Sequence, residues 1–446
     1  MAYSVGFVSL GCAKNQINTE QMLYLLQEAG YELRGEPDGV DLVVVNTCGF
    51  IDAAKSEAIE VILTLGQRKA QGRVGRLLVT GCLSQRYQDE ILSEMPEVDG
   101  ILGTGSYHDI VEAADRVLSG EQVRMFGDIH AAQPEPRRVL TTPPYYAYLR
   151  IAEGCDNHCA YCVIPKLRGR YRSRPMGELL EEAEGLAASG VKELIVIAQD
   201  TSRYGLDLYG EHRLAPLLRA LCRIEGFRWV RVHYLYPDEL PDELIDTIAR
   251  EPKIVKYLDI PIQHVNDQIL KRMNRRGDHA YLDGLFTRLR ARIPGLVLRT
   301  SLIAGLPGED EAAFEELCAF LRRHRLERVG AFVFSPEEGT AAARMEYPPQ
   351  EVAERRTAFL EDLASRIIDG YNNRRAGQLE TVLCEGYDGE RGAYFGRSYA
   401  ESPDIDGKIW FTAPRAVAPG TFVTVRLGEA LDGEPVGVVF EEGASI

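Results

Sequence analysis

The chain has 446 residues, 45% of them hydrophobic and 26% charged, and a formal net charge of −16. This length and composition are typical of a globular protein of two or three domains, and the strongly negative charge argues against a general nucleic-acid binder. No run of about 18 apolar residues occurs, so a membrane-spanning helix is not expected. With no export signal recognised, the sequence predicts a cytoplasmic protein whose nine cysteines are reduced.

Residues 1–125 alternate short apolar strands with amphipathic helices. Strands are predicted over residues 3–11, 41–48 and 76–82, and helical patterns lie between them. Such alternation is typical of an open parallel α/β sheet. The proline-rich residues 126–145 that follow are predicted to form a linker.

The middle of the chain, residues 146–375, resumes the alternation of strands and helices. Six strands are predicted, over residues 146–153, 193–200, 229–236, 257–263, 296–305 and 328–335. A complete parallel barrel has eight such units, so six predict a partial (β/α)6 barrel with an open side, and a long helix over 349–375 ends the region. Residues 376–446 contain five short strands with Gly, Pro and Asp turns, a pattern that predicts a small OB-like β-barrel.

Three cysteines lie close together in the stretch EGCDNHCAYCVIP, and we call Cys155, Cys159 and Cys162 the motif cysteines. They follow the first predicted barrel strand, on the face where parallel barrels carry their active sites. Thiolates at this spacing select zinc or an iron–sulfur cluster. A structural zinc ion requires a fourth ligand. The candidate in this stretch is His158, which lies between the cysteines in an unfavourable position. Three thiolates on a 4Fe-4S cluster leave one iron open for a small molecule, so the spacing favours the cluster over zinc.

Three further cysteines each follow the end of a predicted N-terminal strand, beside a glycine. We call Cys12, Cys48 and Cys82 the strand-end cysteines. Ligands of open α/β sheets bind outside the carboxyl ends of the strands, so these thiols are predicted to converge on a second three-thiolate cluster. The alternative is that they are inert buried cysteines. The remaining cysteines lie inside predicted helices or strands and are expected in the core: Cys222, Cys318 and Cys384.

Four arginines alternate with other residues directly after the motif cysteines: Arg168, Arg170, Arg172 and Arg174. On a strand they would share one face, which predicts either a clamp for phosphate or carboxylate or a solvated, salt-bridged edge. Two histidines at predicted strand ends, His233 and His264, could line the barrel mouth, and a structural role is favoured for each.

The motif cysteines on a partial barrel resemble those of the radical S-adenosylmethionine (SAM) enzymes. The three N-terminal cysteines and the C-terminal barrel extend the resemblance over the whole chain to the methylthiotransferase subgroup, with its N-terminal domain, radical core and TRAM domain. The stretches that carry it include SLGCAKNQ, NTCGFIDAAK, GCLSQRY, RGRYRSRP, YLYPDEL, YLDIPIQH, SPEEGT and GRSYAESPDIDG. One departure is a GxIxGxxE run that here reads SLIAGLPGE, with Ser301 for the first glycine and Glu309 one place late.

The resemblance implies two 4Fe-4S clusters and S-adenosylmethionine as cofactors. The motif cysteines would hold the cluster that binds and cleaves S-adenosylmethionine to a 5′-deoxyadenosyl radical. The strand-end cysteines would hold an auxiliary cluster that carries or activates the sulfur, which one S-adenosylmethionine methylates while a second supplies the radical. An electron donor such as flavodoxin or ferredoxin is implied. No catalytic residue beyond the six ligands is assigned.

Within the subgroup the resemblance is strongest to members that methylthiolate the β-carbon of an aspartate in small-subunit ribosomal protein S-twelve. The alternative is the sister activity on an adenosine of transfer RNA. Residues 377–446 carry twelve acidic and five basic side chains, a charge expected to repel RNA and attract a basic ribosomal protein, so RNA is not expected as the principal substrate. The arginines and residues 271–278 argue mildly the other way.

Two other classes of protein stay open on the residues alone. A cluster-binding scaffold would contain iron but would not cleave S-adenosylmethionine. A zinc structural protein would be colourless and stable in air, so the colour after anaerobic purification separates these classes.

Overall fold

The structure is a computed structural model that describes residues 2–238, 240–431 and 433–441. The N-terminal strands are β1 Ser4–Ser9, β2 Glu32–Arg34, β3 Val40–Thr47, β4 Val74–Gly81, β5 Gly100–Leu102 and β6 Val123–Met125. The helices are α1 Ala13–Glu28, α2 Asp52–Ala70, α3 Cys82–Tyr87, α4 Asp89–Glu94 and α5 Ile110–Leu118, with a 3-10 turn Tyr107–Asp109. The strands form one parallel sheet in the order β2-β1-β3-β4-β5-β6.

Successive apolar residues along the central strands point to opposite faces of this sheet, and helices cover both faces. Leu42 and Val44 of β3 pack in one apolar cluster with α1 and α5, and Val43 and Val45 pack in another with α2. A strand buried on both faces is expected of a parallel sheet. The three-residue strands β2, β5 and β6 were not predicted, because runs this short carry no readable period.

The second region begins with β7 Tyr146–Arg150 and continues with β10 Glu193–Ile197, β11 Trp229–Val232, β12 Ile254–Asp259, β13 Val297–Ala304 and β14 Arg328–Val333. These six strands form an open sheet in the order β14-β13-β12-β11-β10-β7. Two short strands pair separately, β8 Ala152–Glu153 and β9 Arg172–Ser173. The predicted partial (β/α)6 barrel is therefore confirmed.

Nine α-helices belong to the described part of this second region. They are α6 Ile164–Arg168, α7 Met176–Ala188, α8 Leu206–Tyr209, α9 Leu214–Arg223, α10 Asp242–Arg250, α11 Asp267–Arg272, α12 His279–Arg292, α13 Glu311–His324 and α14 Gln350–Arg375, with a 3-10 turn Ala342–Arg344. The long final helix α14 agrees with the prediction. No helix in the described ranges combines the length and apolar character that crossing a bilayer requires.

The last region is a closed five-stranded barrel, as predicted. Its strands are β15 Leu379–Asp388, β16 Ala393–Arg397, β17 Ile409–Thr412, β18 Phe422–Leu427 and β19 Val436–Val439, closed in the order β15-β16-β17-β19-β18. All pairs are antiparallel except β17 with β19. The domain boundaries at residues 125, 145 and 375 stay a prediction.

The segment predicted as a linker, residues 126–145, is fastened to both neighbouring regions by buried ion pairs. Its Arg138 pairs with Glu20 of α1 at 2.8 Å and with Glu182 of α7 at 2.9 Å. Its Glu135 pairs with Arg150 of β7 at 2.9 Å. Composition indicated a segment without regular structure, and these contacts hold it in one path across the junction.

The C-terminal barrel docks where the strands of the open barrel begin. Glu193, the first residue of β10, accepts from Arg397 at 2.9 Å, and Arg328, the first residue of β14, donates to Glu401 at 2.8 Å. Parallel barrels carry their active sites at the opposite, carboxyl end of the strands. The C-terminal barrel therefore buttresses the open barrel from the end remote from the expected site.

The loop over residues 398–406 reaches into the lumen of the open barrel. The Ser402 hydroxyl lies 3.0 Å from Nε2 of the buried His233, and the Tyr257 hydroxyl donates to Asp406 at 2.7 Å. The loop therefore packs against side chains on the inside of the open barrel.

We expect Glu401 to be required for this docking. Burial opposes its ionisation, but Arg375 and Arg328, at 2.6 and 2.8 Å, lower the pKa of Glu401 to about 2. Glu401→Ala leaves two buried guanidinium groups without their shared partner, and we expect a loss of about 3–5 kcal/mol in the free energy of unfolding in urea. The exposed Glu429→Ala is the control, expected within about 0.5 kcal/mol of wild type. Equal effects of the two substitutions would contradict this expectation.

Candidate functional site

The strand-end cysteines converge at the carboxyl edge of the N-terminal sheet, because β1, β3 and β4 are neighbours there. Glycines permit the approach. A Cβ on Gly11, whose φ is +90°, would lie 2.7 Å from the Cβ of Cys48. A Cβ on Gly49 would lie 2.9 Å from the carbonyl oxygen of Cys82. Side chains at either glycine would force the three cysteines apart, as the glycine pattern in the sequence had indicated.

The three strand-end thiols interact electrostatically with one another. Burial raises the pKa of Cys48 to about 12, and charge on Cys82 or Cys12 would raise it further. Burial likewise raises the pKa of Cys82. Cys12 is exposed. Loss of water opposes its ionisation, but the charges of Lys14 and Arg168, with backbone hydrogen bonds from Asn15 and Lys14, outweigh that effect and lower its pKa. A coordinated metal ion deprotonates the thiols that bind it, including those whose pKa is raised in its absence.

The motif cysteines lie in the loop between β8 and α6. The Cys162 amide donates to the carbonyl of Cys159 at 3.0 Å, and the Ile164 amide donates to the Cys162 sulfur at 3.4 Å. Burial raises the pKa of Cys155 to about 11, with further contributions from Asp200 and Cys159. The loop curls so that its sulfur atoms influence one another, as cluster ligands must.

The segment after α11 anchors this loop from the other side. The Ala160 amide donates to the carbonyl of Met273 at 2.9 Å, and Arg275 donates to the Cys159 sulfur at 3.8 Å. His158, the one candidate for a fourth zinc ligand, is exposed on the outside of the loop. Arg275 was missed in the sequence because it is distant in the chain and lies in a basic run that also fits a solvated helix end.

The two cysteine sets are neighbours. Cys82 packs in one apolar cluster with Val163, which directly follows Cys162, and with Leu167 of α6. Helix α3, which begins at Cys82, therefore lies against the end of the motif loop. No local pattern could have revealed this contact, because it joins residues about eighty positions apart.

Both sets have the donor chemistry of an iron–sulfur cluster. Within the described ranges, no three side chains of His, Cys, Asp or Glu approach closely enough to hold one metal ion. The thiolates of a 4Fe-4S cluster bind different iron atoms, so they stand further apart than the ligands of a single zinc ion. Three thiolates are a donor set that a 4Fe-4S cluster uses.

The four arginines do not lie on one continuous strand. The chain turns at Gly169, whose φ is +74°, so the four arginines do not continue along one strand. Arg168 and Arg174 are buried and Arg170 is exposed. Arg168, Arg172 and Arg174 nonetheless line one cavity, together with Arg150 and Glu153, so only Arg170 points away from the group.

Arg168 links the two regions beside the strand-end cysteines. It donates to Asn15 at 2.5 Å and to Asn18 at 2.8 Å, both on α1, and it lies 3.4 Å from Glu153 of β8. Its charge also acts on Cys82 and Cys12. The buried guanidinium therefore fastens α1 to the motif loop and favours thiolates at the strand ends.

The two histidines are buried and contact other side chains of the fold. His233 contacts the C-terminal barrel, and burial lowers its pKa well below the usual range. The Nδ1 atom of His264 accepts from the Asn266 amide at 3.0 Å, and its Nε2 lies 3.4 Å from Glu309. Glu309 also pairs with Arg356 at 2.8 Å, so this displaced glutamate is occupied internally. The cysteines expected in the core are all buried: Cys222, Cys318 and Cys384.

Lys14 is a site residue that the sequence did not single out. It is the second residue of α1, 7% exposed, and its Nζ lies 3.1 Å from the ring centre of Tyr234. Burial lowers the pKa of Lys14 to about 8, opposed by Cys12, Asp259 and Glu153. A lysine in the first turn of a helix carries no signal of burial, so only the packing reveals it.

A solved structure supports the architecture. The radical S-adenosylmethionine methyltransferase TsrM from Kitasatospora setae superposes with a TM-score of 0.56 at 14% identity, covering 77% of each chain. At this identity the likeness shows the fold alone, and the fold agrees with a partial parallel barrel.

Three family descriptions match the chain in order. Residues 4–103 match uncharacterized protein family UPF0004, residues 149–321 match the radical SAM superfamily, and residues 376–439 match the TRAM domain. With three cysteines at the carboxyl end of a partial parallel barrel, these matches define a radical S-adenosylmethionine enzyme. Membership of this superfamily implies S-adenosylmethionine and a 4Fe-4S cluster as cofactors.

Relatives of nearly equal length identify the family. The chain is 47% identical over 433 residues to ribosomal protein uS12 methylthiotransferase RimO of Lachnoclostridium phytofermentans, covering 97% of this chain and 98% of the relative. It is 44% identical over 438 residues to the protein of the same name in Thermoanaerobacter sp., covering 97% and 99%. The chain therefore belongs to the radical S-adenosylmethionine methylthiotransferase family, and the family predicted from the sequence is confirmed.

Proposed function

We propose that this chain transfers a methylthio group to the β-carbon of an aspartate in ribosomal protein uS12, the protein in its relatives' names. The observation that carries the proposal is the adjacency of the two cysteine sets, through the packing of Cys82 against Val163. Sulfur transfer to a substrate radical needs the sulfur donor and the radical source to face one bound side chain, which is possible only if the two sets are neighbours.

In this proposal each set of cysteines holds a 4Fe-4S cluster. The motif cysteines leave an open iron for S-adenosylmethionine, and the strand-end cysteines hold the auxiliary cluster. Bound there, these groups supply an electron, a 5′-deoxyadenosyl radical and the methylated sulfur. The reaction needs an electron donor such as flavodoxin or ferredoxin, and the proposed place of action is the cytoplasm.

The chain's own residues shape and shield the site. Arg275 and Arg168 are buried beside the motif and strand-end sulfur atoms respectively, and each stabilises negative charge there. Ser402 and its loop contact His233 inside the open barrel, which would limit the access of water from the side of the C-terminal barrel. Exclusion of water protects reactive intermediates from side reactions.

The charge of the C-terminal barrel supports a protein substrate less than the sequence had indicated. Three of its acidic side chains are used at the junction with the open barrel: Glu380, Glu401 and Asp406. Among the described residues of this barrel, the exposed charges are four acidic and four basic: Glu390, Asp404, Glu429, Glu441, Arg391, Lys408, Arg415 and Arg426. Glu385, Asp388 and Glu434 of the same barrel are partly exposed, so an acidic excess remains but is smaller than the sequence indicated, and the choice of substrate rests mainly on the relatives.

One observation keeps transfer RNA as the second candidate substrate. Arg391 lies 4.1 Å over the ring of Trp410, and Lys408 lies 4.2 Å over Phe395, on the outer face of the C-terminal barrel. Aromatic rings interleaved with basic groups are a usual surface for single-stranded nucleic acid. The same groups could serve ribosomal RNA around the protein substrate.

Mass spectrometry after an anaerobic reaction tests the proposal. Enzyme with reconstituted clusters, S-adenosylmethionine, sulfide and a reductant would be offered ribosomal protein uS12 and transfer RNA in parallel. We expect a methylthio group on an aspartate of the protein and unmodified RNA. Modification of adenosine alone would transfer the proposal to the RNA substrate, and absence of both products would refute the activity.

A further inference from the structure

Lys14 is the one buried lysine among the residues that the structure describes. Its ammonium rests on the ring of Tyr234, with 3.1 Å between Nζ and the ring centre. Strand β11 ends at Val232, and Tyr234 is the second residue after it, next to His233. Lys14 therefore projects from the N-terminal domain over the mouth of the open barrel.

No carboxylate in the described ranges lies within ion-pair distance of Lys14. The two carboxylates that influence it are Asp259 and Glu153, and each is paired elsewhere. Asp259 accepts from Arg299 at 2.9 Å, and Glu153 accepts from Arg150 at 2.9 Å. A buried ammonium needs hydrogen-bond acceptors, and an aromatic face replaces them only in part. The remaining opposing charge that acts on Lys14 is the Cys12 thiol, which the proposed auxiliary cluster would engage, so the ammonium is left available to a carboxylate from outside the chain.

The position of Lys14 separates it from the motif cysteines. Its charge acts on the thiol of Cys12, two residues away, which is exposed. The positive side chain that acts on Cys159 and Cys162 is Arg275. Lys14 therefore serves an anion on the strand-end side of the mouth, where the sulfur would be held, and not on the S-adenosylmethionine side.

We propose that the Lys14 ammonium binds the side-chain carboxylate of the substrate aspartate and thereby makes the enzyme selective for aspartate. This inference rests on the proposed function. The β-carbon of aspartate is bonded directly to the carboxylate carbon, so holding the carboxylate positions the reacting carbon within one bond of the contact. An amide in place of the carboxylate gives the ammonium no countercharge, and asparagine is disfavoured.

Binding measurements on the enzyme with both clusters reconstituted test this inference. The probes are ribosomal protein uS12 and a variant of it with asparagine at the modified position. We expect wild-type enzyme to bind the aspartate form at least about tenfold more tightly than the asparagine form. Lys14→Met should bind the two forms equally. Lys166→Met is the matched control, because this lysine is exposed on α6 near the motif loop, and it should keep the wild-type preference.

The binding of S-adenosylmethionine distinguishes the second source of a carboxylate. If Lys14→Met weakens S-adenosylmethionine while the aspartate preference survives, the cation serves the cofactor and the inference is wrong. If Lys14→Met keeps the preference for aspartate and binds S-adenosylmethionine as tightly as wild type does, the inference is also wrong. If wild-type enzyme fails to methylthiolate uS12, the proposed function is wrong and this assignment is wrong with it. If wild-type enzyme does methylthiolate uS12 but Lys14→Met still prefers the aspartate form, only the assignment of Lys14 is wrong.

If Lys14 served only to stabilise the fold, replacing it would lower the thermal midpoint of unfolding, and we expect no such decrease. Replacing a buried cation by an apolar side chain of similar length is neutral or stabilising when the cation has no partner in the fold. We therefore expect the thermal midpoint of Lys14→Met to equal or exceed that of wild type, with unchanged iron content. Lys14→Gln, which keeps polarity without charge, should also lose the aspartate preference, and it replaces Lys14→Met if that variant does not fold.

Discussion

Replacing Cys48 by alanine is expected to stop methylthio transfer while reductive cleavage of S-adenosylmethionine continues. Cys48 belongs to the strand-end set, whose thiols influence one another, whereas cleavage depends on the motif cysteines. Loss of an outer-shell partner alone weakens a metal site about 10–100-fold, so loss of a ligand should reduce transfer below about 1% of wild type. Cys159→Ala, in the motif set, should abolish both activities.

The measurement is parallel quantification of 5′-deoxyadenosine and of methylthiolated protein for each variant. Cys222→Ala is the control, because this cysteine is buried in α9 outside both sets, and it should keep both activities. Full methylthiolation by Cys48→Ala would show that the strand-end cysteines are core residues and not ligands. Loss of cleavage in Cys48→Ala would show that the two sets depend on each other for folding.

The second large effect is expected from Arg168→Leu. Arg168 is buried, binds Asn15 and Asn18 of α1, and favours thiolates at Cys82 and Cys12. Without this charge and these hydrogen bonds, the auxiliary cluster should bind about 10–100-fold more weakly. We expect the iron content to fall from about eight to about four atoms per chain.

Iron and sulfide analysis after anaerobic reconstitution measures this effect, and cleavage of S-adenosylmethionine reports on the remaining cluster. Arg170→Leu is the matched control, because Arg170 belongs to the same run and is exposed. Its iron content should equal that of wild type. An unchanged iron content in Arg168→Leu would mean that the arginine only fastens α1 to the motif loop.

The arrangement assigns different tasks to the two ends of the open barrel. At the carboxyl ends of its strands, the motif loop meets α3 of the N-terminal domain. At the other end, ion pairs of Glu193 and Glu401 hold the C-terminal barrel. A radical enzyme needs a closed, well-ordered site, and the docked barrel supports this by packing against side chains on the inside of the open barrel.

Local pattern was sufficient for the longer strands and for the long helix α14, and it placed the cysteines after strands, whereas the ligand roles of the six cysteines stay a prediction. Strand–helix alternation predicted the first two regions, and a run of short strands with turn residues predicted the C-terminal barrel, because hydrophobic period is a property of a few neighbouring residues. Strand-end positions predicted where Cys12, Cys48 and Cys82 would lie, because parallel strands share one carboxyl edge. The spacing of the motif cysteines predicted cluster chemistry because a single short loop contains all three.

Only the tertiary structure decided what the charged residues do. The arginine run was predicted to share a face, yet a turn at Gly169 separates Arg168 from Arg172. The acidic C-terminal barrel was predicted to repel RNA, yet one of its acidic residues, Glu401, is buried in an ion pair with Arg375 at the junction. Lys14 carried no signal at all. A charge acts over distance on whatever folds beside it, so its role depends on contacts between residues far apart in the chain, which no local pattern records.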